Sequence, residues 1–448
     1  WMDERLRDAF ATRPRSHVGR VRVSKRRLLR VRALQFAARF LERDDATGFG
    51  FAERALKDAE ELDAFLAEEI SLLAKEPCEA NGAVVLNVRD YGAKGDGVAD
   101  DAPAFSRAGE AVRRLGGRPS VLKVPAGVYR MASRQRCAPF VDSMGEYNAE
   151  PGVLSSQCLF ANLENCRIEG ESPETTFVRC ALYDSDQLAL VNCRNVTLAN
   201  IDLSLEQTPF LQGVVESFDA ASGACELTLR PGTLRPDHPG WKEPRVSESF
   251  GFVCADDGLI VPNGRLLPWI RPQPSEDLGG GRWRIFFNRA DDPDGWYWKH
   301  HVQNVRPGQT LVLPNRKNGL GAVSVRFCSF CTLENVWVRN SRAWAFATSR
   351  SRATTFARCR DKPRDGLFLS SNADGCWCEA GTVFLDCEFD SMGDDGINSL
   401  TYGMIAARGG TAQEVRTRDN GIRRGGGLAV FADPHTAQYQ ANLRIAQT

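Results

Sequence analysis

Short strand-like segments return along this chain at intervals in the twenties, and that recurrence constrains the fold more than any other feature. Thr355-Phe356-Ala357-Arg358-Cys359 comes back as Val383-Phe384-Leu385-Asp386-Cys387, a step of 28 residues from Phe356 to Phe384. Asn165-Cys166 comes back as Asn192-Cys193, a step of 27. Asn195-Val196-Thr197-Leu198-Ala199-Asn200-Ile201-Asp202-Leu203 has the pattern of Phe330-Cys331-Thr332-Leu333-Glu334-Asn335-Val336-Trp337-Val338. A repeat of this length cannot bury its apolar face alone, so neighbouring repeats must stack. The alternation within each repeat fits strands with one buried face. The expectation is an all-β solenoid.

The rhythm breaks from about Glu206 to Pro307, where Pro, Gly and Trp clusters separate segments such as Gly213-Val214-Val215-Glu216-Ser217-Phe218 and Trp283-Arg284-Ile285-Phe286-Phe287. Turn signals at short spacing imply an inserted antiparallel β domain. Trp269, Trp283, Trp296, Tyr297 and Trp298 then either line a sugar site or fill the core of the insert. Gly425 to Pro434 reads as a further β piece that returns to the insert, and the missing cap after it reads as a missing C-terminal part. The expected division is 1–80 helical, 81–205 solenoid, 206–310 insert, 311–405 solenoid with the site, and 406–448 an incomplete β segment.

At 448 residues, 42% hydrophobic and 25% charged, the chain is long enough for a large core. Its 57 basic and 57 acidic residues cancel, so no global charge argues for a nucleic-acid partner. No run approaches the length of a membrane span. Fourteen cysteines are too dilute for a disulfide scaffold. Cys328-x-x-Cys331 and Cys376-x-Cys378 lack nearby histidines and read as stacked interior thiols ahead of a metal site.

The chain starts at Trp1 without a signal-peptide pattern, which reads as a processed chain or a piece. Its compartment stays open, with a secreted or extracytoplasmic setting among those compatible with it. Arginines from Arg13 to Arg30 read as a solvated helical face ahead of a targeting or polyanion-binding arm. Ala52, Leu56, Ala59, Leu62, Leu66, Ile70 and Leu73 have helical spacing and predict an amphipathic helix over 51–76 that covers an open end of the main domain.

From Val84 the order changes to Asp90-Tyr91-Gly92-Ala93-Lys94-Gly95-Asp96-Gly97, then Asp100-Asp101, a helical pattern through Phe105, Ala108, Val112 and Leu115, and a strand closed by Pro125-Ala126-Gly127-Val128-Tyr129. Asp100 and Asp101 read as helix N-terminal residues accepting amide hydrogen bonds. A phosphate-loop reading of the glycines lacks a Gly-Lys-Ser/Thr ending. This order resembles the opening module of the pectate-lyase-like superfamily, which implies a right-handed parallel β-helix with a capping helix.

Two carboxylate motifs lie in the later coils: Asn372-Ala373-Asp374-Gly375 and Gly393-Asp394-Asp395-Gly396-Ile397-Asn398. Asp374 and Asp394 are 20 residues apart, about one coil, so the three carboxylates can converge on one outer face. The bland alternative is that Asp and Gly mark turns, with Asn372 and Asn398 capping backbone. The order resembles that of polygalacturonase-type glycoside hydrolases and, more closely, of β-helical α-1,3-galactosidases. The resemblance implies catalytic Asp374, Asp394 and Asp395, substrate contacts from Asn372, Trp377 and Asn398, a carbohydrate substrate, and no metal or cofactor.

It also implies inverting hydrolysis, with Asp395 as the first choice for acid and the other two activating water. The His-Gly and Arg-x-Lys of polygalacturonases are not found from Ser399 to Thr448, and Trp377 and Ser399-Leu400 stand where the galactosidase pattern has histidine and His-Gly. Two rival readings remain. One is a calcium-dependent polysaccharide lyase with Arg350, Arg352 or Arg358 as base. The other is a non-catalytic glycan-binding β-helix of adhesin or tailspike type.

Overall fold

In a computed structural model, the residues described are 21–23, 82–137, 154–243, 250–268, 272, 274–287, 295–300, 302, 305–317, 319–351, 353–378, 382–399, 428–432 and 439–444. The described chain is mostly strand. It divides into two compact units, residues 1–24 with 76–399 and residues 25–75 with 400–448.

In the first unit the repeats stack as parallel ladders. One ladder runs through Leu154–Ala161, Asp186–Val191, Val323–Arg326, Phe346–Ser349, Cys376–Cys378 and Ile397–Ser399. A second runs through Val84–Asn87, Ser120–Val124, Glu164–Gly170, Arg194–Leu205, Thr332–Val338, Arg360–Asp361 and Cys387–Phe389. Phe356 faces Phe384, and Thr197-Leu198 faces Thr332-Leu333, as their repeated patterns require.

The 27-residue step is corrected. Cys166 faces Val196 and Cys158 faces Leu188, so that coil is 30 residues long. Two asparagine ladders result: Asn192 Nδ2 donates to Asn162 Oδ1 at 2.6 Å, and Asn195 Nδ2 to Asn165 Oδ1 at 2.8 Å. All four have φ between 51° and 57°, the left-handed region that asparagine tolerates better than other side chains. Phe327, Phe330, Arg350 and Ala353 hold the same conformation at the equivalent corners of later coils, so the coil geometry outweighs residue preference there.

The interior at the later coils is a stack of rings. Phe356 lies parallel to Phe384 at 5.2 Å, and Phe346 and Phe389 meet their neighbours edge-on at 5.5 to 6.1 Å. The described cysteines are free thiols, buried except for Cys137. Cys328 accepts the Cys193 amide, and Cys331 donates to the Cys193 carbonyl, so these thiols stack between coils.

Helix Ala102–Arg114 turns Phe105, Ala108 and Val112 into this core. Asp101 accepts the Lys94 and Gly95 amides at 2.7 and 3.1 Å, and Asp100 those of Ala102 and Ala132. The glycine-rich turn is thus closed by an internal carboxylate, a structural use of its amides.

A seven-stranded sheet occupies the break between the coils, in the order Ile260–Pro268, Phe250–Cys254, Thr310–Pro314, Phe210–Asp219, Ala224–Leu229, Arg282–Phe286, Ser275–Gly279, every pairing antiparallel. Trp283 and Trp298 are buried in it, and Trp298 packs in its core with Leu227 and Ile285, which is the core alternative for these two rings. Trp269 and the side chains of Trp296 and Tyr297 lie outside the described residues.

The helix expected over 51–76 and the arginine-rich arm also lie outside them. The exception is Val21–Val23, a strand antiparallel to Cys387–Phe389 rather than part of a helical face. In the second unit Leu428–Ala432 and Tyr439–Arg444 pair antiparallel with each other. Among the described residues, no helix is long and apolar enough to cross a membrane.

Candidate active site

The two carboxylate motifs occupy successive turns leading into Cys376–Cys378 and Ile397–Ser399. Cys376 faces Ile397, so Asp374 is in register with Asp395, and Asp394 is one residue to the side. The Gly375 amide donates to the Asp395 carbonyl at 2.9 Å, and the Gly393 amide to the Ser371 carbonyl at 2.8 Å. The glycines are needed because the coils touch there. A Cβ on Gly393 would lie 2.5 Å from the Asn372 carbonyl oxygen, and one on Gly375 2.7 Å from that of Gly396.

One oxygen from each of Asp374, Asp394 and Asp395 falls within 4.8 Å of the other two. Their environments differ sharply. Asp374 is 2% exposed, Asp394 half-buried and Asp395 exposed. Burial, then the neighbouring Asp394 charge, push the Asp374 carboxyl up to about 6, with Arg316 opposing. Arg316 Nη1 donates to Asp394 Oδ2 at 2.7 Å. This guanidinium offsets part of the negative charge of the cluster from the Asp394 side.

Beneath the cluster lies a residue that the sequence motifs do not contain. Asp361 is fully buried, and the Ser371 hydroxyl donates to its Oδ2 at 2.7 Å while lying 3.3 Å from the Asp374 carbonyl. Burial foremost raises the Asp361 carboxyl to about 8, with the serine hydrogen bonds opposing. Its Oδ1 has no hydrogen-bond partner, as suits a carboxyl kept neutral in the interior.

The expected substrate contacts separate. Asn372 is fully buried, and its Nδ2 donates to the Pro209 carbonyl at 2.7 Å, where the chain enters the insert. It is an anchor for the insert and is corrected from the substrate-binding set, because its amide is directed to the Pro209 carbonyl at the neck. Trp377 is 5% exposed and packs on Trp344 with centroids 5.6 Å apart. With Arg326, Ala347 and Ser349 the two indoles line a shallow surface dimple of about 10 Å³, room for a single water, so Trp377 is a wall and not an open platform. Asn398 faces Trp377 on the next coil and is half-buried.

The arginines considered as lyase bases are elsewhere. Arg358 is exposed and pairs with Glu334. Arg350 stands at the far end of its strand, about 20 Å along the strand from the Asp374 column, with its guanidinium over the Phe327 ring. Arg352 lies outside the described residues. Asp361 and Arg316 are the site residues that the motifs missed. Arg316 reaches it from the neck of the insert, and Asp361 is joined to it through the Ser371 hydroxyl.

No protein-family model matches the chain. It is 24% identical over 283 residues to alpha-1,3-galactosidase B of Akkermansia muciniphila, covering 60% of this chain and 32% of that one. It is 28% identical over 169 residues to a glucan 1,3-beta-glucosidase of Cochliobolus carbonum, covering 30% of this chain and 21% of that one. Among solved structures, a hyperthermoactive exopolygalacturonase from Thermotoga maritima is 16% identical with a TM-score of 0.33, covering 71% of this chain and 54% of that one. A family 28 exopolygalacturonase of Yersinia enterocolitica is 16% identical with a TM-score of 0.30, covering 74% and 46%. The chain spans about a third or less of the curated relatives it matches. Its resemblance to the α-1,3-galactosidases is thus met by a relative of that name, and the named enzymes it is similar to in sequence are glycosidases.

Proposed function

We propose that this chain, folded as a right-handed parallel β-helix with an inserted antiparallel domain, is a glycoside hydrolase acting on α-galactosyl or galacturonosyl-type linkages. The observation that carries the reading is the buried, upshifted Asp374 carboxyl facing two further carboxylates within 4.8 Å. A glycosidase needs one carboxylic acid and one carboxylate at the same bond, and unequal burial supplies both from one residue type. Asp374 is the acid that protonates the leaving oxygen, in place of Asp395. Asp394 and Asp395 bind and deprotonate the attacking water. Asn398 and Trp377, which face each other on neighbouring coils, contact the sugar.

The resemblance implies inversion. A second reading, retention, is favoured by one feature: nearest oxygens within 4.8 Å are closer than the roughly 6.5–9.5 Å typical of inverting pairs and nearer the roughly 5–5.5 Å of retaining ones. In that case Asp394 or Asp395 attacks the anomeric carbon directly. Proton NMR of the first-formed anomer, on α-galactosides, galacturonans and 1,3-linked glucans, separates the two. Saturated products released in the presence of chelator support hydrolysis; an unsaturated, calcium-dependent product would make the chain a lyase.

A further inference from the structure

We infer that Arg316 is a positioning residue of this site, so that the inserted domain completes the carboxylate cluster by clamping Asp394 beside Asp374. The kinetic side of this inference rests on the hydrolase reading; the structural side does not.

Arg316 follows Thr310–Pro314, a strand with partners on both sides in the inserted sheet, and its neighbours are fixed on both flanks. The Asn315 amide donates to the Pro209 carbonyl at 2.9 Å, closing the neck of the insert. Buried Arg342, two coils before Gly393 in the same column, donates to Asn315 Oδ1 at 2.6 Å and to Glu243. The Lys317 amide donates to the Arg342 carbonyl at 3.0 Å, and Lys317 Nζ to Glu243 Oε2 at 2.6 Å. Between these anchors the Arg316 side chain is 13% exposed and reaches Asp394, 78 residues away in sequence. Asn372, in the turn that carries Asp374, is bonded to the other strand of the same neck at Pro209. Both carboxylate turns are therefore tied to the insert, one through a backbone carbonyl and the other through a guanidinium.

The charged groups acting on Asp374 are Asp394 and Asp395 on the next turn and Arg316 from the neck; Lys317 and Arg342 pair with Glu243, and Asp390 acts on Asp361. Arg316 is the member of this set that opposes the upward push of burial and of Asp394 on the Asp374 carboxyl. Removing it frees Asp394 to rotate and moves Asp374 further up. The acid stays protonated to higher pH, while the water-activating partner loses its fixed orientation.

The test uses the full chain with ¹³C-labelled aspartate, comparing wild type with Arg316→Gln, Arg316→Met and Arg316→Lys at matched thermal melting. The Asp374 signal is identified through Asp374→Asn. The expected result is an Asp374 titration midpoint raised by roughly half a unit or more in Arg316→Gln and returned towards wild type in Arg316→Lys. On any glycoside that the wild type cleaves, kcat falls about tenfold at nearly constant KM, below the ~10²–10⁴ lost with an acid or base. An unchanged midpoint, or a raised KM at constant kcat, overturns the inference. If Arg316→Gln does not fold, Arg316→Met carries the same titration. A wild type that cleaves nothing sinks the hydrolase reading alone, since the titration still decides the role of Arg316.

Discussion

The Asp395 amide donates to Oδ1 of Asp374 at 3.3 Å, across one coil of the solenoid. The backbone of one carboxylate motif thus lies directly on the side chain of the other. This contact lowers the Asp374 carboxyl slightly against the larger effect of burial, which leaves it at about 6.

The pH profile follows from that balance. If protonated Asp374 is the acid, kcat/KM declines above about pH 6 as its proton is lost. Asp374→Asn keeps the shape of the side chain but cannot supply the proton, so activity drops by about 10²–10⁴ while melting stays near wild type. A flat profile from pH 5 to 8 would remove Asp374 from that role.

Asp361 makes an opposite kind of prediction, on stability. Its folded value, about 8, lies above the roughly 3.9 of an unfolded aspartate, so the folded state holds the proton longer. The contribution of Asp361 to stability is complete below about pH 4 and declines as the unfolded chain ionises first, until the folded carboxyl also ionises near pH 8. Asp361→Asn removes that slope. Wild type is therefore expected to lose on the order of a few kcal/mol relative to the variant between pH 4 and 8, read from urea midpoints across pH. Parallel curves for the two proteins would show that Asp361 does not hold its proton.

The glycine before the aspartate pair is predicted to be a packing requirement. Gly393→Ala sets a Cβ 2.5 Å from the Asn372 carbonyl, a backbone atom that cannot swing away. The expected cost is about 1–3 kcal/mol in denaturant unfolding, with reduced activity from the displaced Asp394–Asp395 turn. A variant as stable and as active as wild type would mean the coils separate easily at this point.

The solenoid was legible where a repeat carried a distinctive residue. Phe356 and Phe384, and the two Thr-Leu strands, stand in the register their patterns imply. Asn165-Cys166 and Asn192-Cys193 mislead because each of these two coils carries two asparagine corners three residues apart, and the motif matches the second corner of one coil to the first of the next. The true step of 30 keeps each corner with its own kind. The same aliasing is present in the aspartates: 20 residues separate Asp374 from Asp394, but its register partner is Asp395.

What sequence could not reveal is environment. Asn372, flanking Asp374, looked like a substrate contact because nothing local reports that Pro209 lies on its amide. Asp374 and Asp395 have similar neighbours in sequence, and only the packing of the coils buries one and exposes the other. Arg316 and Asp361 carry no motif, since their relation to the cluster is made by the return of a chain that has first built a whole inserted sheet, and by a serine hydroxyl in the interior.

The central claim is that these three carboxylates cleave glycosidic bonds. The most direct measurement is sugar release from α-galactosides and galacturonans by the wild-type chain, Asp374→Asn and Asp395→Asn, each shown to melt alike. The account predicts release by wild type and loss of at least about 10² in both variants. Release that survives in both variants, or a folded wild type that binds glycans and releases nothing, would contradict it.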